Sequence, residues 1–344
     1  MDLSELDYDL PPELIAQTPA PSRDASRLLV IDRARGGFED HGFNELPDLL
    51  RAGDCVVVNN SRVIPARVLS RDADGREVEL LFTDSVEGDR WRALTRPGRR
   101  SRTGVELLVG DAPVARLRIV GVETDGQRVV ERLDGSIDAL LSEHGRLPLP
   151  PYIERFAAPT AEDLERYQTV YARPPGSIAA PTAGLHFTPR ILDAIQRRGV
   201  ELHQLTLHVG PGTFRPIKTE RVEDHTLPAE RVAIPSSVAD AVNRAHDERR
   251  RVIAVGTTTA RALESAVSPD GRVRPLDGEA RVYITPGHAF RAVDALLTNF
   301  HLPRSSLLAL VAAFAGRELI LKSYGHAVRA GYRFYSYGDA TVIL

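Results

Sequence analysis

Short apolar runs that end abruptly in polar turns recur along this chain, and no other feature of the sequence limits its fold as strongly. Residues 54–58 run into the polar segment 59–67, and residues 252–255 run into the turn 256–261. Continuous apolar runs of this length indicate buried strands, and the helical patterns between them indicate an α/β fold. Ligands of α/β folds bind where strands end. The sequence therefore predicts an α/β main domain, barrel-like or open, with a site at its strand ends.

The segment from residue 69 to residue 146 has a different pattern. Its β-type runs, separated by Gly and Asp turns, lie at residues 77–82, 90–95, 104–109, 114–120 and 128–132. This spacing is typical of a small β-barrel or sandwich. We predict a discontinuous α/β catalytic domain at residues 1–68 and 147–344. An inserted small antiparallel β-barrel domain is predicted at residues 69–146.

Composition and absent motifs exclude several classes of protein. The one cysteine, Cys55, excludes an internal disulfide and a multi-cysteine zinc site. No Gly-x-Gly-x-x-Gly, P-loop or Gly-x-Ser-x-Gly motif occurs, which argues against dinucleotide, P-loop and common hydrolase folds. The chain has no apolar run that could span a bilayer and no basic-then-apolar leader. We therefore expect a cytoplasmic monomer with no membrane contact and no metal.

Two segments carry chemistry that favours a ligand. The Gly-rich loop 176–188 contains Thr182 and His186 and leads into a helix that Thr188 can cap. Helix N-termini favour anionic and polar ligands, although a tight structural turn with a satisfied histidine fits the same residues. The arginine-rich run around Pro97 can hold phosphates or form a solvated hairpin tip. Because the formal net charge is −3, nucleic-acid binding needs such a local basic patch.

Long motifs on these turns match a known family in the same order along the chain. They lie at residues 7–11, 60–67, 96–100, 148–153, 167–171, 176–188, 208–210, 212–214, 298–305 and 332–340. In these motifs the chain resembles the S-adenosylmethionine:tRNA ribosyltransferase-isomerases of queuosine biosynthesis, over nearly its full length. The resemblance implies transfer and isomerisation of the ribosyl part of S-adenosylmethionine onto 7-aminomethyl-7-deazaguanine at the tRNA wobble position. The implied products are epoxyqueuosine, adenine and methionine.

The implied reaction uses S-adenosylmethionine as a substrate, needs no permanently bound cofactor and takes tRNA as its partner. The sulfonium makes the neighbouring C5′ proton acidic, so acid and base groups are needed, each contributing roughly 10²- to 10⁴-fold. The acid–base candidates are His186, His208, His301, Glu230 and Asp339. Of these groups, only histidine titrates near neutrality when unperturbed. The resemblance does not decide which histidine is the base.

The remaining predicted site residues bind substrates. The residues predicted to bind S-adenosylmethionine are Asn60, Arg62, Thr182, Tyr167, Tyr171, Phe187, Thr213, Phe214, Thr257, Arg261 and Asn299. Arginines offer bidentate bonds to carboxylate or phosphate, and aromatic rings can stack on adenine or face the sulfonium. Arg96, Arg99 and Arg100 are predicted to contact the tRNA backbone.

One position departs from the family pattern. The family carries His-x-Met-His-x-Glu, whereas this chain has Leu227 in place of the methionine and Pro228 in place of the second histidine, between His225 and Glu230. A proline cannot transfer a proton and has no backbone donor. Two alternatives therefore stay open: a paralogue that uses S-adenosylmethionine with another acceptor, and a catalytically silent relative that binds tRNA.

Overall fold

The computed structural model of the chain describes residues 1–111, 114–154, 159–214 and 216–344, without the side chains of Thr213 and Phe214. Its strands are β1 (Arg27–Asp32), β2 (Gly37–Gly42), β3 (Cys55–Asn59), β4 (Arg62–Val63), β5 (Arg67–Arg71), β6 (Glu77–Val86), β7 (Arg90–Arg96), β8 (Glu106–Val109), β9 (Ala115–Val122), β10 (Arg128–Arg132), β11 (Pro175–Ser177), β12 (Glu201–Leu207), β13 (Glu230–Ile234), β14 (Val252–Val255), β15 (Leu276–Ala280), β16 (Ala295–Asn299) and β17 (Ala340–Ile343). Its α-helices are α1 (Leu46–Leu49), α2 (Ile137–His144), α3 (Ala161–Arg166), α4 (Pro189–Arg197), α5 (Ser236–Asp247), α6 (Thr257–Ser265), α7 (Ser306–Ala315) and α8 (Arg317–Arg329).

The main sheet has nine strands in the order β15-β13-β12-β3-β14-β16-β17-β1-β2. Strand β3 pairs in parallel with β12 and β14, and β14 pairs in parallel with β16. The other pairings along the sheet are antiparallel, apart from the parallel pair of β1 and β17. The predicted α/β class is confirmed, with the main sheet open rather than closed into a barrel.

Apolar residues cover both faces of this sheet, as its continuous apolar strands predict. Val57 and Ala254 face one core, into which α5, α6, α7 and α8 pack. Val56 and Ile253 face a second core, which α1 and α4 cover. The central strands are therefore enclosed on both faces, and side chains of the sheet can meet a ligand only at its edges.

The polar turns meet at one edge of the sheet, which we call the rim. Strands β3, β12, β14 and β16 run in the same direction, so their carboxyl ends lie at the same edge. Strands β1, β13 and β17 run in the opposite direction, so their amino ends lie there too. The rim is defined by residues 26, 59–61, 208–210, 230, 256–257, 299–301 and 339.

The inserted β-barrel is confirmed as a closed sheet of six strands in the order β10-β7-β6-β5-β8-β9, all paired antiparallel. Helix α2 packs on the barrel core through Ile137, Leu140 and Leu141. The chain enters and leaves side by side, because Arg67 and Arg146 exchange backbone hydrogen bonds of 3.1 and 2.7 Å. Strand β5 starts at Arg67, two positions before the predicted boundary, and the division at residues 69 and 146 stays a prediction.

The sequence predicts strands at residues 281–284 and 332–336, and both predictions were wrong. Residues 332–336 form only an isolated bridge, from Phe334 to Ile15, because Tyr335 has a φ of 75° and its carbonyl accepts a hydrogen bond from the backbone of Gly338 in a turn. The final strand is β17, which follows that turn. The strand expected at residues 281–284 lies earlier, as β15, because the polar residues of β15 pair with β13 at the sheet's border.

Candidate functional site

His186, from the Gly-rich loop, is buried at the rim with both ring nitrogens engaged. Asn299 Nδ2 donates to Nε2 at 3.1 Å, and Ser26 Oγ lies 2.7 Å from Nδ1. Asn299 Nδ2 also donates to the carbonyl of Tyr335 at 3.1 Å, which fixes the orientation of its amide. Nε2 is therefore the acceptor, and Nδ1 carries the proton. Burial lowers the pKa of His186 to about 3, so its imidazole is neutral and already satisfied.

His301, which follows β16, is buried as deeply. Its Nε2 lies 2.9 Å from Thr298 Oγ1, and its backbone N–H donates to Tyr324 Oη at 3.3 Å. The hydroxyl of Tyr8 donates to the His301 carbonyl at 2.5 Å. Burial lowers the pKa of His301 to about 3. Both buried histidines therefore have the surroundings of structural groups, and their predicted catalytic roles remain untested.

The carboxylates predicted at the rim also have partners inside the protein. Glu230 Oε2 lies 2.6 Å from Arg261 Nη1, and its Oε1 accepts from the backbone N–H of Gly210 at 2.8 Å. Asp339 accepts from the backbone N–H groups of Arg27 and Arg333 at 2.9 and 2.8 Å. Burial raises the pKa of Asp339. These carboxylates tie neighbouring turns of the rim together.

The guanidinium of Arg261 donates its hydrogen bonds to groups of the protein itself. Besides Glu230, its guanidinium donates to the carbonyls of Val282, Pro228 and Ala280 at 2.9 to 3.0 Å. The predicted bond from Arg261 to a substrate carboxylate would have to replace one of these contacts. Its present geometry is that of a buried ion pair that holds Pro228 in place.

Three small cavities lie along the rim. The first, of about 40 Å³, is lined by Thr182, Thr257, Asn299 and His301, and the second, of about 30 Å³, by Pro228 and Arg261. A third, of about 20 Å³, lies beside His186. Each has room for little more than a water molecule or two. In this conformation the predicted ligands Thr182, Thr257 and Asn299 therefore surround a space too small for S-adenosylmethionine.

A much larger cavity, which we call the cleft, separates the rim from the barrel. Its volume is about 1000 Å³. The residues that line it are Arg62, Val63, Ile64, Pro65, Thr83, Asp84, Ser85, Trp91, Asp138, Leu141, Ser142, Gly145, Arg146, Leu147, Pro159, Leu164, Gln168, Pro175, Gly176, His208 and Arg231. This volume lies at the upper end of the range for small-molecule sites. The cleft can accommodate a nucleoside-sized substrate together with an acceptor base.

His208 is the predicted histidine that lines the cleft. Its Nδ1 lies 2.7 Å from Ser61 Oγ, and within the described parts of the chain no group bonds its Nε2. Burial lowers the pKa of His208, and the positive charge of Arg231 lowers it further, whereas Asp84 acts in the opposite direction. Gly176 permits close packing against the ring, since a Cβ there would lie 2.8 Å from the imidazole. His208 is thus held from one side and open on the other.

Three arginines line the cleft with exposed side chains: Arg62, Arg146 and Arg231. None of the three forms a side-chain ion pair with any residue that the structure describes. The backbone N–H of Arg62 donates to the Pro174 carbonyl at 2.8 Å, which fixes β4 at the wall of the cleft. Unpaired guanidiniums around a concave surface attract carboxylates and phosphates.

The other predicted S-adenosylmethionine ligands lie in the fold's interior. Tyr167 and Phe187 are fully buried, and Tyr171 is 7% exposed against Gly184. Asn60 bonds Gln204 and Thr206 on β12 at 3.2 and 2.7 Å. These side chains present no open ring face or free amide in this conformation, and their predicted roles stay untested. The side chains of Thr213 and Phe214 lie outside the described residues.

The arginines predicted to bind tRNA lie at the far end of the barrel. Arg96 pairs with Glu79 across the β6–β7 hairpin, whereas Trp91, in the cleft, pairs with Ser85. Five residues of strand separate these ends by roughly 17 Å. Arg96 and Arg99 are exposed, but Arg100 lies 2.7 Å from Asp72 in an ion pair. The predicted basic loop is therefore a surface distinct from the cleft.

Sequence reasoning missed Asp84, Trp91, Arg146 and Arg231 as cleft residues. Trp91 is the single tryptophan of the chain, but it lies within the arginine-rich run. That run indicates phosphate binding by the loop at the other end of the hairpin and gives no signal for a ring in a cleft. Asp84 and Arg146 border the cleft only because the barrel lies beside the rim. Ser26 and Ser61, which hold two of the histidines, carry no local signal for these roles.

The described ranges contain no group of three His, Cys, Asp or Glu side chains arranged to hold a metal ion. In the same ranges, no helix combines the length and apolar character that crossing a membrane requires.

Comparisons with known proteins give a consistent result. A family model described as queuosine biosynthesis protein matches residues 3–343. A protein of Moorella thermoacetica named S-adenosylmethionine:tRNA ribosyltransferase-isomerase is 49% identical over 347 residues and covers 100% of both chains. A Thermus thermophilus protein of the same name is 52% identical, with 99% of both chains covered.

A solved structure is similar over the same length. The crystal structure of an S-adenosylmethionine tRNA ribosyltransferase from Thermotoga maritima is 35% identical, with a TM-score of 0.56. The match covers 99% of this chain and 100% of the other. The similarity therefore extends over both the main sheet and the barrel.

Proposed function

The chain belongs to the queuosine biosynthesis protein family, and on this premise we propose that it is an S-adenosylmethionine:tRNA ribosyltransferase-isomerase. It transfers and isomerises the ribosyl moiety of S-adenosylmethionine onto 7-aminomethyl-7-deazaguanine in tRNA. The products are tRNA with epoxyqueuosine at the wobble position, adenine and methionine. The observation that carries the site assignment is the cleft, which is lined by His208 and by three arginines that form no side-chain ion pair with the described residues.

His208 is proposed as the base that starts the reaction. The positive sulfur stabilises negative charge on C5′, so a neutral imidazole can take the C5′ proton. The ribose then opens, and adenine leaves with a proton as its glycosidic bond breaks. The exocyclic amine of the acceptor bonds to the opened carbon chain and loses a proton, and methionine leaves as the neutral thioether when its S–C5′ bond breaks and the epoxide closes. Because the pKa of His208 is lowered, its imidazole is neutral at physiological pH, as a base must be. Its Nδ1 contact with Ser61 leaves Nε2 for the proton.

The arginines of the cleft are proposed to hold the anionic parts of both substrates. Arg62, Arg146 and Arg231 can bind the methionine carboxylate or phosphates of the anticodon loop. The basic loop with Arg96 and Arg99, which we call the distal loop, is proposed to contact the tRNA backbone further from the anticodon. Arg100 contributes there less directly, because its guanidinium is paired with Asp72.

The position of Pro228 favours this function over the two alternatives. Pro228 lines the 30 Å³ cavity at the rim rather than the cleft, and its carbonyl accepts from Arg261 at 3.0 Å. The proline therefore removes no proton-transfer group from the cleft. We infer a monomeric cytoplasmic enzyme that uses S-adenosylmethionine as a substrate and holds no permanent cofactor.

The function is tested by incubating the protein with S-adenosylmethionine and tRNA that bears 7-aminomethyl-7-deazaguanine. Mass spectrometry follows adenine, methionine and the modified nucleoside. Equal amounts of all three products are expected. Adenine release without consumption of the tRNA base would instead identify a paralogue with another acceptor. Binding of tRNA with no product at all would identify a silent relative.

A further inference from the structure

We propose that the barrel hairpin β6–β7 carries the recognition site for the acceptor base, with Trp91 stacking on the purine ring and Asp84 accepting from its N1–H and N2–H₂ edge. The ligand is a guanine-type base in an unpaired RNA loop. This inference rests on the proposed function, because it assumes that the acceptor is RNA.

Asp84 and Trp91 hold diagonal positions on the hairpin, and both line the cleft. Asp84 pairs with Arg92 in the strand register, and Trp91 pairs with Ser85, so both residues lie at the end of the hairpin that faces the cleft. His208 lines the cleft from the main sheet, and the charge of Asp84 acts on it. A base held on the hairpin would therefore lie beside the proposed catalytic histidine.

A break in the strand register turns this end of the hairpin. The pairing of β6 with β7 shifts between Phe82 and Asp84, which leaves Thr83 as an extra residue. The extra residue is anchored, because Thr83 Oγ1 donates to Gln127 Oε1 at 2.8 Å. Such bulges redirect side chains and recur beside active sites. Here the bulge is followed by the exposed residues Asp84 and Ser85 at the cleft.

The ring and the carboxylate differ in how they are held. Trp91 is half-buried, and its ring packs edge-on against Phe82 with 6.3 Å between ring centroids. Asp84 is exposed, and no side chain in the described part of the chain pairs with its carboxylate. Arg92, its neighbour across the hairpin, is committed to Glu123 at 2.9 Å. An anchored flat ring and a carboxylate without a partner among the described residues, both lining one cleft, suit a planar ligand with hydrogen-bond donors on one edge.

A guanine-type base has that edge. Its N1–H and N2–H₂ both donate, and a carboxylate can accept both, whereas adenine has an acceptor at N1 and no N2 amine. Unpaired RNA bases are commonly bound by stacking on aromatic rings and by hydrogen bonds to their Watson–Crick edge. The arginines of the cleft can hold the flanking phosphates. The hairpin therefore distinguishes the acceptor base from the adenine of the other substrate.

Trp91 provides a direct readout, because it is the only tryptophan in the chain. The probe is an anticodon stem–loop RNA with guanine at the wobble position, added to the full-length protein while tryptophan emission is followed. We expect quenching that saturates with binding, measured independently by anisotropy of the labelled RNA. S-adenosylmethionine alone is expected to leave the emission unchanged. Quenching by S-adenosylmethionine alone, or RNA binding without quenching, would overturn the assignment.

The role of Asp84 is tested by removing its partner on the base. A second stem–loop carries hypoxanthine, which lacks the N2 amine. The wild-type protein should bind it about tenfold or more weakly than the guanine RNA, and Asp84→Asn should bind the two RNAs within a factor of about two. Asp138→Asn, which alters another carboxylate of the cleft, should keep the wild-type preference. Equal discrimination in wild type and Asp84→Asn would overturn the proposal.

These binding assays use no turnover, so their outcome is separate from that of the proposed function. A protein that makes epoxyqueuosine but fails both tests retains its function and reads the base elsewhere. A protein that passes both tests but releases no adenine recognises the base without the proposed chemistry.

Discussion

His186 and His208 both lie on polar turns at the same rim, yet their surroundings differ. His186 is 4% exposed and has a partner on each ring nitrogen, whereas His208 has one partner, Ser61, and borders a cavity of about 1000 Å³. In the closed part of the rim, around His186, His301 and Arg261, the polar groups bond to other groups of the protein. The cleft leaves polar groups without partners in the described residues, and such groups can act on a ligand.

A polar residue at a strand end therefore has two possible uses. In the closed part, buried charges and imidazoles fix the turns relative to each other, and their removal should cost stability. In the cleft, substitutions should cost binding or turnover and leave the fold nearly as stable as before. The following predictions separate these two outcomes.

The largest loss of stability is expected from Arg261→Met. Glu230 would then remain buried without the opposite charge of Arg261, and breaking a buried ion pair in this way costs about 3 to 5 kcal/mol. Urea unfolding measures the change. The matched control is Arg272→Met, which removes the exposed ion pair with Asp247 and should change the stability far less. Similar losses in both variants would contradict a structural role for Arg261.

His186→Ala should destabilise the protein by about 3 kcal/mol. The substitution leaves a cavity and removes the partners of Asn299 and Ser26. His208→Ala, at the edge of the cleft, should cost about 1 kcal/mol or less. The free energies of unfolding of the two variants, measured side by side, check this contrast. A larger loss in His208→Ala would reverse the assignment of the two histidines.

Acid should destabilise the closed part of the rim through its histidines. The folded pKa values of His186 and His301 are about 3, below the unfolded value of 6.5, so the unfolded chain binds more protons. Their contribution is therefore complete above pH 6.5 and is lost as the pH falls towards 3. At pH 5 each histidine accounts for about 2 kcal/mol of lost stability. Urea unfolding at pH 7 and pH 5 should show a smaller difference for His301→Gln than for wild type; an unchanged difference would contradict this origin.

The smallest effects are expected from exposed arginines. Arg146→Gln in the cleft and Arg96→Gln in the distal loop should each weaken tRNA binding several-fold and flatten its logarithmic salt dependence by about 0.7 to 0.9. Arg96→Gln should leave the turnover of bound tRNA unchanged. Arg35→Gln is the control, since Arg35 follows β1 at the sheet edge opposite the rim. An unchanged salt slope in Arg96→Gln would remove the distal loop from the tRNA interface.

Much of the fold could be predicted from the sequence. The buried strands β3 and β14 and the helices α4 and α7 are encoded by local apolar patterns, and the inserted barrel by its regular turns. Strand β2 was missed because its residues are largely polar, and β13 was missed because its pairing partners, β12 and β15, are distant in sequence.

The site was less accessible from the sequence. The turns that meet at the rim could be identified because strand direction brings their ends together. The hydrogen-bond partners of a histidine cannot be predicted from the residues next to it in the chain. Ser26 lies 160 residues from His186, and Ser61 lies 147 residues from His208. The cleft arises between the barrel and the sheet, so Trp91 and Asp84 acquire their position only from the arrangement of these two parts.

The central claim, that the reaction takes place in the cleft with His208 as its base, is tested most directly by adenine release in a single turnover. Wild type and His208→Asn are compared at saturating S-adenosylmethionine and tRNA, with urea unfolding of the same samples. We expect the variant to be as stable as wild type within about 1 kcal/mol and slower by roughly 10²- to 10⁴-fold. A loss of less than about tenfold in a folded variant would contradict the account and would return the search for the base to the closed part of the rim.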